Sequence, residues 1–165
     1  MSICNRNCCE NKINSSYIKW LIEVLGPVIL GSKPAEILNL SSKDMNKESK
    51  LNDIKSFFSN CTKLSYEIIN ISDGGISLVF INKKALSNVL DNKKCLNFLK
   101  FIGYPLKDVV GFMGYGKYKF CKTRYWKVYG DESVSDAVYN KFISDRAKIK
   151  VLLENNSLSE LRKVI

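Results

Sequence analysis

Apolar residues recur along this chain with two different periods, and the changes of period mark its elements. Over residues 17–25, Ile18, Leu21, Ile22 and Leu25 share one helical face. Gly26-Pro27 is expected to end that helix. Val28-Ile29-Leu30 is short and rich in β-branched residues, the pattern of a brief buried strand. Residues 31–34 read as a turn, and Ala35-Glu36-Ile37-Leu38 as a single helical turn. A helix follows over residues 46–58, with Leu51, Ile54, Phe57 and Phe58 as its apolar stripe. The period then shortens to two. Tyr66, Ile68 and Asn70 alternate with Glu67, Ile69 and Ile71, and Asp73-Gly74-Gly75 turns the chain into a hairpin, since glycine reaches positive φ without a Cβ clash. The returning strand, residues 76–81, is almost continuously apolar, which suits a central position.

Asn82 is placed to cap a helix running through Leu90, anchored by Ala85, Leu86, Val89 and Leu90. Asp91-Asn92 breaks it. A second helix, residues 94–102, turns Cys95, Phe98, Leu99 and Ile102 inward, with Gly103 just past its end and Pro105 blocking continuation. Residues 106–113 form a short third helix. Gly114 and Gly116 open into a ribbon over residues 117–129. A final long helix starts after Asp131, with Val134, Val138, Phe142 and Ile149 in register. Asn155-Asn156 interrupts it, and Ser157-Leu158-Ser159-Glu160 has the form of a capping box that restarts it. These elements predict an α+β fold: a small mixed or antiparallel sheet of three to five strands, covered by helices, with a long C-terminal helix. Residues 1–14 read as a polar, cysteine-bearing leader of disordered character, and residues 15–165 as one α+β domain.

Composition narrows the class. The chain has 165 residues, of which 45% are hydrophobic and 25% charged, the balance of a globular domain. Its net charge of +10 points to a polyanionic partner, nucleic acid among them. The same charge also fits a lysine-, asparagine- and isoleucine-rich composition, because the arginines are confined to Arg6, Arg124, Arg146 and Arg162. No run approaches the ~18 apolar residues of a membrane span. The first twelve residues are polar and lead into no apolar signal core, so a cytoplasmic location with reduced thiols is expected.

Histidine is absent. That excludes Ser-His-Asp and Cys-His nucleophilic sites, His-ligated metal sites and the usual general base near neutral pH. No Walker loop is present, and Gly111-Phe112-Met113-Gly114-Tyr115-Gly116 follows a helix rather than a strand, so it reads as a hinge. Cys4, Cys8 and Cys9 could offer thiolates to a metal with Cys121 as a fourth ligand, but their spacing is not that of a structural site, and incidental thiols explain them as well. In the ribbon, Lys117, Lys119, Lys122, Arg124 and Lys127 interleave with Tyr115, Tyr118, Phe120, Tyr125, Trp126 and Tyr129. Such a mixture can stack bases and neutralise phosphates. The period-2 alternation favours a plainer reading, with the aromatic face against the core and the lysines in water. Asp108 falls in a helical first turn, where it complements the dipole, and Asp131 at a helix N-cap, so neither is expected to serve as an acid or base.

Three blocks carry a family resemblance. They are Gly26-Pro27-Val28-Ile29-Leu30-Gly31-Ser32-Lys33-Pro34-Ala35, the segment 101–112 containing Gly103-Tyr104-Pro105 and Asp108-Val109, and Tyr125-Trp126-Lys127-Val128-Tyr129-Gly130-Asp131. On these the chain resembles domain of unknown function 3793, a family of small proteins from anaerobic gram-positive bacteria. The resemblance implies no activity. The typical member has Cys where this chain has Leu25, and Pro-His-Glu where it has Cys95, Leu96 and Asn97, so no reactive or metal site is carried over. The blocks keep turns, caps and aromatic anchors, each at the end of an element. The expected binding surface therefore comprises Lys33, Tyr104, Asp108, Lys119, Arg124, Trp126, Lys127 and Asp131. The first expectation is a non-catalytic binding protein with an unidentified protein or small-molecule partner. The second is a nucleic-acid-binding module using the basic aromatic ribbon, residues 115–129. The third is a protein whose chemistry comes from a bound metal, flavin or haem.

Overall fold

The computed structural model describes residues 15–59, 61–71, 73–90, 102–155 and 158–164. The leader, Cys4, Cys8, Cys9, Cys95, the Asp91-Asn92 break, Ser157 and nearly all of the helix expected over residues 94–102 lie outside them. The fold is α+β, with its strands divided between a three-stranded antiparallel sheet and a separate two-stranded ribbon.

The first helix, α1 (Ser16–Val24), buries Ile18, Leu21 and Ile22 as their spacing predicts. The segment after it is not the expected strand. Gly26–Ile29 forms a short helix, α2, with Pro27 in its first turn, where a missing N–H costs no helical bond and the fixed φ is already helical. Ile29 N–H donates to Leu25 O at 2.8 Å and Leu30 N–H to Gly26 O at 2.9 Å. Gly26 lets this turn lie directly on the long helix α6 (Glu132–Glu154): a Cβ there would sit 2.9 Å from Arg146 Cα.

The second correction is Ala35–Leu40, a strand (β1) rather than a helical turn. It pairs antiparallel with β3 (Ile76–Asn82), from Ala35 opposite Ile81 to Leu40 opposite Ile76. Strand β2 (Leu64–Asn70) flanks β3 on the other side, so β3 is central, as its apolar run predicts. The hairpin turn holds Gly74 at φ +80°, and Gly75 N–H donates to Asp73 Oδ1 at 2.9 Å. Helix α3 (Lys47–Phe58) covers the sheet with Leu51, Ile54 and Phe58. Helix α4 (Lys83–Leu90) starts on Asn82, whose Oδ1 accepts from Ala85 N–H at 3.0 Å while its Nδ2 donates to Val28 O at 2.8 Å. Together with Ile149 of α6 and Leu161 of α7 (Leu158–Val164), these elements enclose the main core. Cys61 follows α3 and packs half-buried against that core.

A smaller core organises the other end. Helix α5 (Leu106–Phe112) packs on the ribbon of β4 (Phe120–Thr123) and β5 (Lys127–Tyr129), which pair antiparallel with a bulge between Phe120 and Lys122. Trp126, Val128 and Phe142 form its buried centre. Helix α6 begins on Asp131, whose carboxylate accepts from Ser133 N–H at 2.9 Å. Of its expected inward residues Phe142 and Ile149 are buried and Val138 packs half-buried on this core, but Val134 does not. Val134 is 47% exposed, and the buried face runs through Ser135, Phe142, Asp145 and Ile149. The reason is the helical repeat: Ser135, not Val134, lies two turns before Phe142. Among the described residues, no helix is long and apolar enough to cross a membrane.

Candidate functional site

The three sequence blocks, far apart along the chain, meet around Tyr104. Gly103 precedes it at φ +92°, and a Cβ there would lie 2.9 Å from Pro34 Cδ and 3.2 Å from Lys33 Cγ, so the Gly-Tyr-Pro turn is seated directly on the Lys33-Pro34 turn. The Tyr104 ring stacks on Trp126, with centroids 4.9 Å apart and planes at 25°. Trp126 meets Phe142 of α6 edge-on at 6.0 Å. Lys33 is buried, only 3% exposed. Its ammonium lies 5.5 Å from the ring centres of both Tyr104 and Phe142 and pairs with Glu36 Oε2 at 2.7 Å. Burial, with the charge of Glu36, pushes the Tyr104 phenol above its ordinary value.

Asp108 joins α5 to the ribbon and to α6. Its Oδ1 accepts from Lys107 Nζ at 2.7 Å and from Tyr129 N–H at 2.8 Å. Its Oδ2 accepts from Trp126 Nε1 at 2.7 Å and from the Ser135 hydroxyl at 2.6 Å. Four donors occupy the four good acceptor directions of a carboxylate. Burial alone would raise the pKa of Asp108. The Lys107, Ser135, Tyr129 N–H and Trp126 donors outweigh it and hold the group below the usual carboxylate range. Lys107 is equally saturated, donating also to Tyr129 O at 2.7 Å and Ser135 Oγ at 2.6 Å. A serine beside a lysine resembles a nucleophile with its base. Here the hydroxyl is fully buried and its proton already points at Asp108, so the cluster is a structural clamp.

A cleft of about 300 Å³ lies above this clamp, lined by Tyr104, Asp108, Val109, Phe112, Thr123, Tyr125, Trp126 and Lys127. Trp126 and Val109 are buried, while Phe112, Tyr125 and Lys127 are exposed. Lys127 Nζ stands 5.9 Å from the Phe112 ring centre. The lining is mostly aromatic and aliphatic, with one cation, the Thr123 hydroxyl and the Asp108 carboxylate already bound by its donors.

Of the expected surface residues, Tyr104, Asp108, Trp126 and Lys127 line the cleft, and Lys33 supports Tyr104 from below. Arg124 is engaged elsewhere, paired with Asp136 at 3.2 Å and lying 4.8 Å from the Tyr139 ring centre. Asp131 caps α6, and Lys119 is exposed on the approach to the ribbon. The ribbon corrects one expectation: its aromatic face is not in the core. Tyr118 is 47% and Phe120 49% exposed, and Tyr115 and Tyr125 are exposed as well, because α5 covers only part of the ribbon. Only Trp126 among them is buried.

Sequence reasoning missed Lys107, Ser135, Phe112 and Asp145. A signal existed for Ser135 and Asp145, since both share the helical face of Phe142 and Ile149. Asp145 is buried. Burial opposes its charge, but hydrogen bonds from Lys141, Ser32 and Lys148 lower its pKa. Cys121 turns its thiol to Gly130 O at 3.1 Å. Among the described residues, no three Cys, Asp or Glu side chains converge as a metal ion requires.

A family model described as a protein of unknown function (DUF3793) matches residues 21–104 and 100–162. No curated protein and no solved structure matches the chain.

Proposed function

The chain belongs to the DUF3793 family, and we propose that it is a non-catalytic binding protein. Its partner inserts a flat, apolar group into the cleft between α5 and the ribbon. One observation carries this reading. The cleft presents Tyr104, Val109, Phe112, Tyr125 and Trp126 with a single cation, Lys127, while the one carboxylate beneath it is fully committed to protein donors. Pockets of this type bind by stacking and burial, with a few polar groups fixing orientation. Chemistry would require an available nucleophile or base, and Asp108, Lys107 and Ser135 are all consumed in the clamp. We read the compartment as the cytoplasm, on the polar first twelve residues and the lack of an apolar signal core after them.

The test uses 8-anilinonaphthalene-1-sulfonate, an aromatic anion that matches the lining. A Trp20→Phe background leaves Trp126 as the remaining indole, since the chain has two tryptophans. Titration is expected to quench Trp126 saturably at one site, and Phe112→Asp, which places a carboxylate at the exposed rim, is expected to abolish the effect. Non-saturable binding, or binding indifferent to Phe112→Asp, overturns the reading.

A further inference from the structure

Resting on that binding reading, we infer that the occupant of the cleft is single-stranded nucleic acid, with one unstacked base in the cleft and its phosphates on the ribbon lysines. Two independent features point the same way. The first is the exposure of aromatic rings outside the core. Phe112, Tyr115, Tyr118 and Phe120 all stand open along α5 and the approach to the ribbon. The Tyr118 ring rests on glycine: a Cβ added to Gly130 would meet its Cδ1 at 3.0 Å, and one added to Gly116 would meet its Cδ2 at 3.2 Å. Rings held in this way are preset stacking platforms, which a base can use without ordering the side chain first.

The second feature is where uncompensated charge sits. Glu132 and Asp136 are bound to Lys122 and Arg124. Lys117, Lys119 and Lys127 make no ion pair among the described residues, and all three are exposed. On this segment, then, open cations lie beside the bare rings, within a chain of net charge +10. A polyanion that carries flat rings satisfies both features at once. An acidic peptide would use the lysines and leave the rings bare. An anionic bilayer would use both, but it calls for a protruding apolar surface, whereas Trp126 and Tyr104 form the floor of a recess. Duplex DNA keeps its bases stacked and offers nothing to such a recess.

The test is fluorescence anisotropy with 5′-labelled oligo(dT)12 and oligo(U)12 on the full chain. If Lys117, Lys119 and Lys127 each neutralise one phosphate, the slope of log affinity on log salt is about −2, a loss on the order of twentyfold between 50 and 200 mM salt. Lys127→Glu with Lys119→Glu is expected to weaken binding at least tenfold and flatten the slope. Phe112→Ala is expected to weaken binding with the slope unchanged, because it removes stacking and no charge. All three positions are exposed, so these variants keep the fold, which near-ultraviolet circular dichroism verifies. Binding that Phe112→Ala leaves undiminished, or that favours the duplex of the same length, overturns the proposal. So does sedimentation with phosphatidylserine vesicles without oligonucleotide binding. If the naphthalene sulfonate binds and neither oligonucleotide does, the nucleic-acid inference falls and the cleft reading stands. If none of them binds, both fall.

Discussion

Trp126 donates its indole N–H to the Asp108 carboxylate at 2.7 Å across a separation of 18 residues, and that bond ties the floor of the cleft to the first turn of α5. The same ring stacks on Tyr104, so the position of the Gly-Tyr-Pro turn is set from two sides. The three sequence blocks are therefore one structural unit. Lys33 supports Tyr104, Tyr104 stacks on Trp126, and Trp126 is fixed by Asp108.

Removing the carboxylate should be costly. Asp108→Ala leaves the Lys107 ammonium, which is mostly buried, without its counter-charge, and strands the donors of Trp126, Tyr129 and Ser135. Breaking a buried charge pair from one side typically destabilises by about 3–5 kcal/mol. Urea unfolding measures this directly, and a loss below about 1 kcal/mol would mean that water replaces the carboxylate. Asp108→Asn keeps the shape and some of the acceptors, so its loss should be smaller.

Acid should unfold the protein through the same groups. Asp108 and Asp145 are both held below the ordinary value of 3.8 by hydrogen bonds that outweigh their burial. A carboxylate with a lower pKa in the folded state binds fewer protons folded than unfolded. Its stabilisation is complete above the ordinary value and disappears as pH falls through the lowered one. The melting temperature is thus expected to hold down to mildly acid pH and then drop. An Asp108→Asn, Asp145→Asn double variant, less stable at neutral pH, should show a shallower acid decline. Parallel profiles for the two proteins would show that other carboxylates set the acid limb.

Gly111 poses a contest between two effects of opposite sign. It lies within α5, where replacing glycine by alanine normally stabilises by about 1 kcal/mol. A Cβ at this position, however, would sit 2.5 Å from Tyr129 Cγ, in a ring that also packs edge-on against Phe120. Overpacking of this kind costs about 1–3 kcal/mol, so Gly111→Ala should be net destabilising. Thermal unfolding decides the sign, and a raised melting temperature would mean that the ribbon can shift away from α5 without loss.

What the sequence made legible depended on how local each determinant is. The β2–β3 hairpin was readable because Asp73-Gly74-Gly75 and its flanking alternation lie in one window. Ala35–Leu40 was not, because its helix-favouring residues become a strand only through pairing with β3, some forty residues on. Val28 and Ile29 favour a strand by composition, but Pro27 and the backbone contact of Gly26 with α6 hold a helical turn there. At the site, Tyr104, Trp126 and Asp108 could be named from their places at element ends. Their arrangement could not, since Lys107 and Ser135 complete it from two different helices. Period-2 alternation in the ribbon implied buried aromatics, but a two-stranded ribbon covered in part by one helix cannot bury Tyr118 and Phe120.

Tyr17 offers a substitution that should raise stability. Its hydroxyl is buried and finds no hydrogen-bond partner among the described residues, while its ring stacks on Trp20 and lies 5.3 Å from Lys50 Nζ. Burial, together with the charges of Asp44 and Asp53, pushes the phenol up to about 12. Two consequences follow. Tyr17→Phe removes an unsatisfied polar atom and keeps the ring, so it should be neutral or stabilising by roughly 1 kcal/mol at neutral pH. The alkaline limb should also change. Because the folded pKa lies above the unfolded value of 10, Tyr17 stabilises the native state below pH 10, and that contribution is lost as pH rises towards 12. The variant lacks this titration, so its advantage over the parent should widen above pH 10. Ultraviolet titration at the tyrosinate band, followed through the unfolding transition in both proteins, checks both points. A destabilised Tyr17→Phe would mean that the hydroxyl holds a water essential to the packing of α1 on α3.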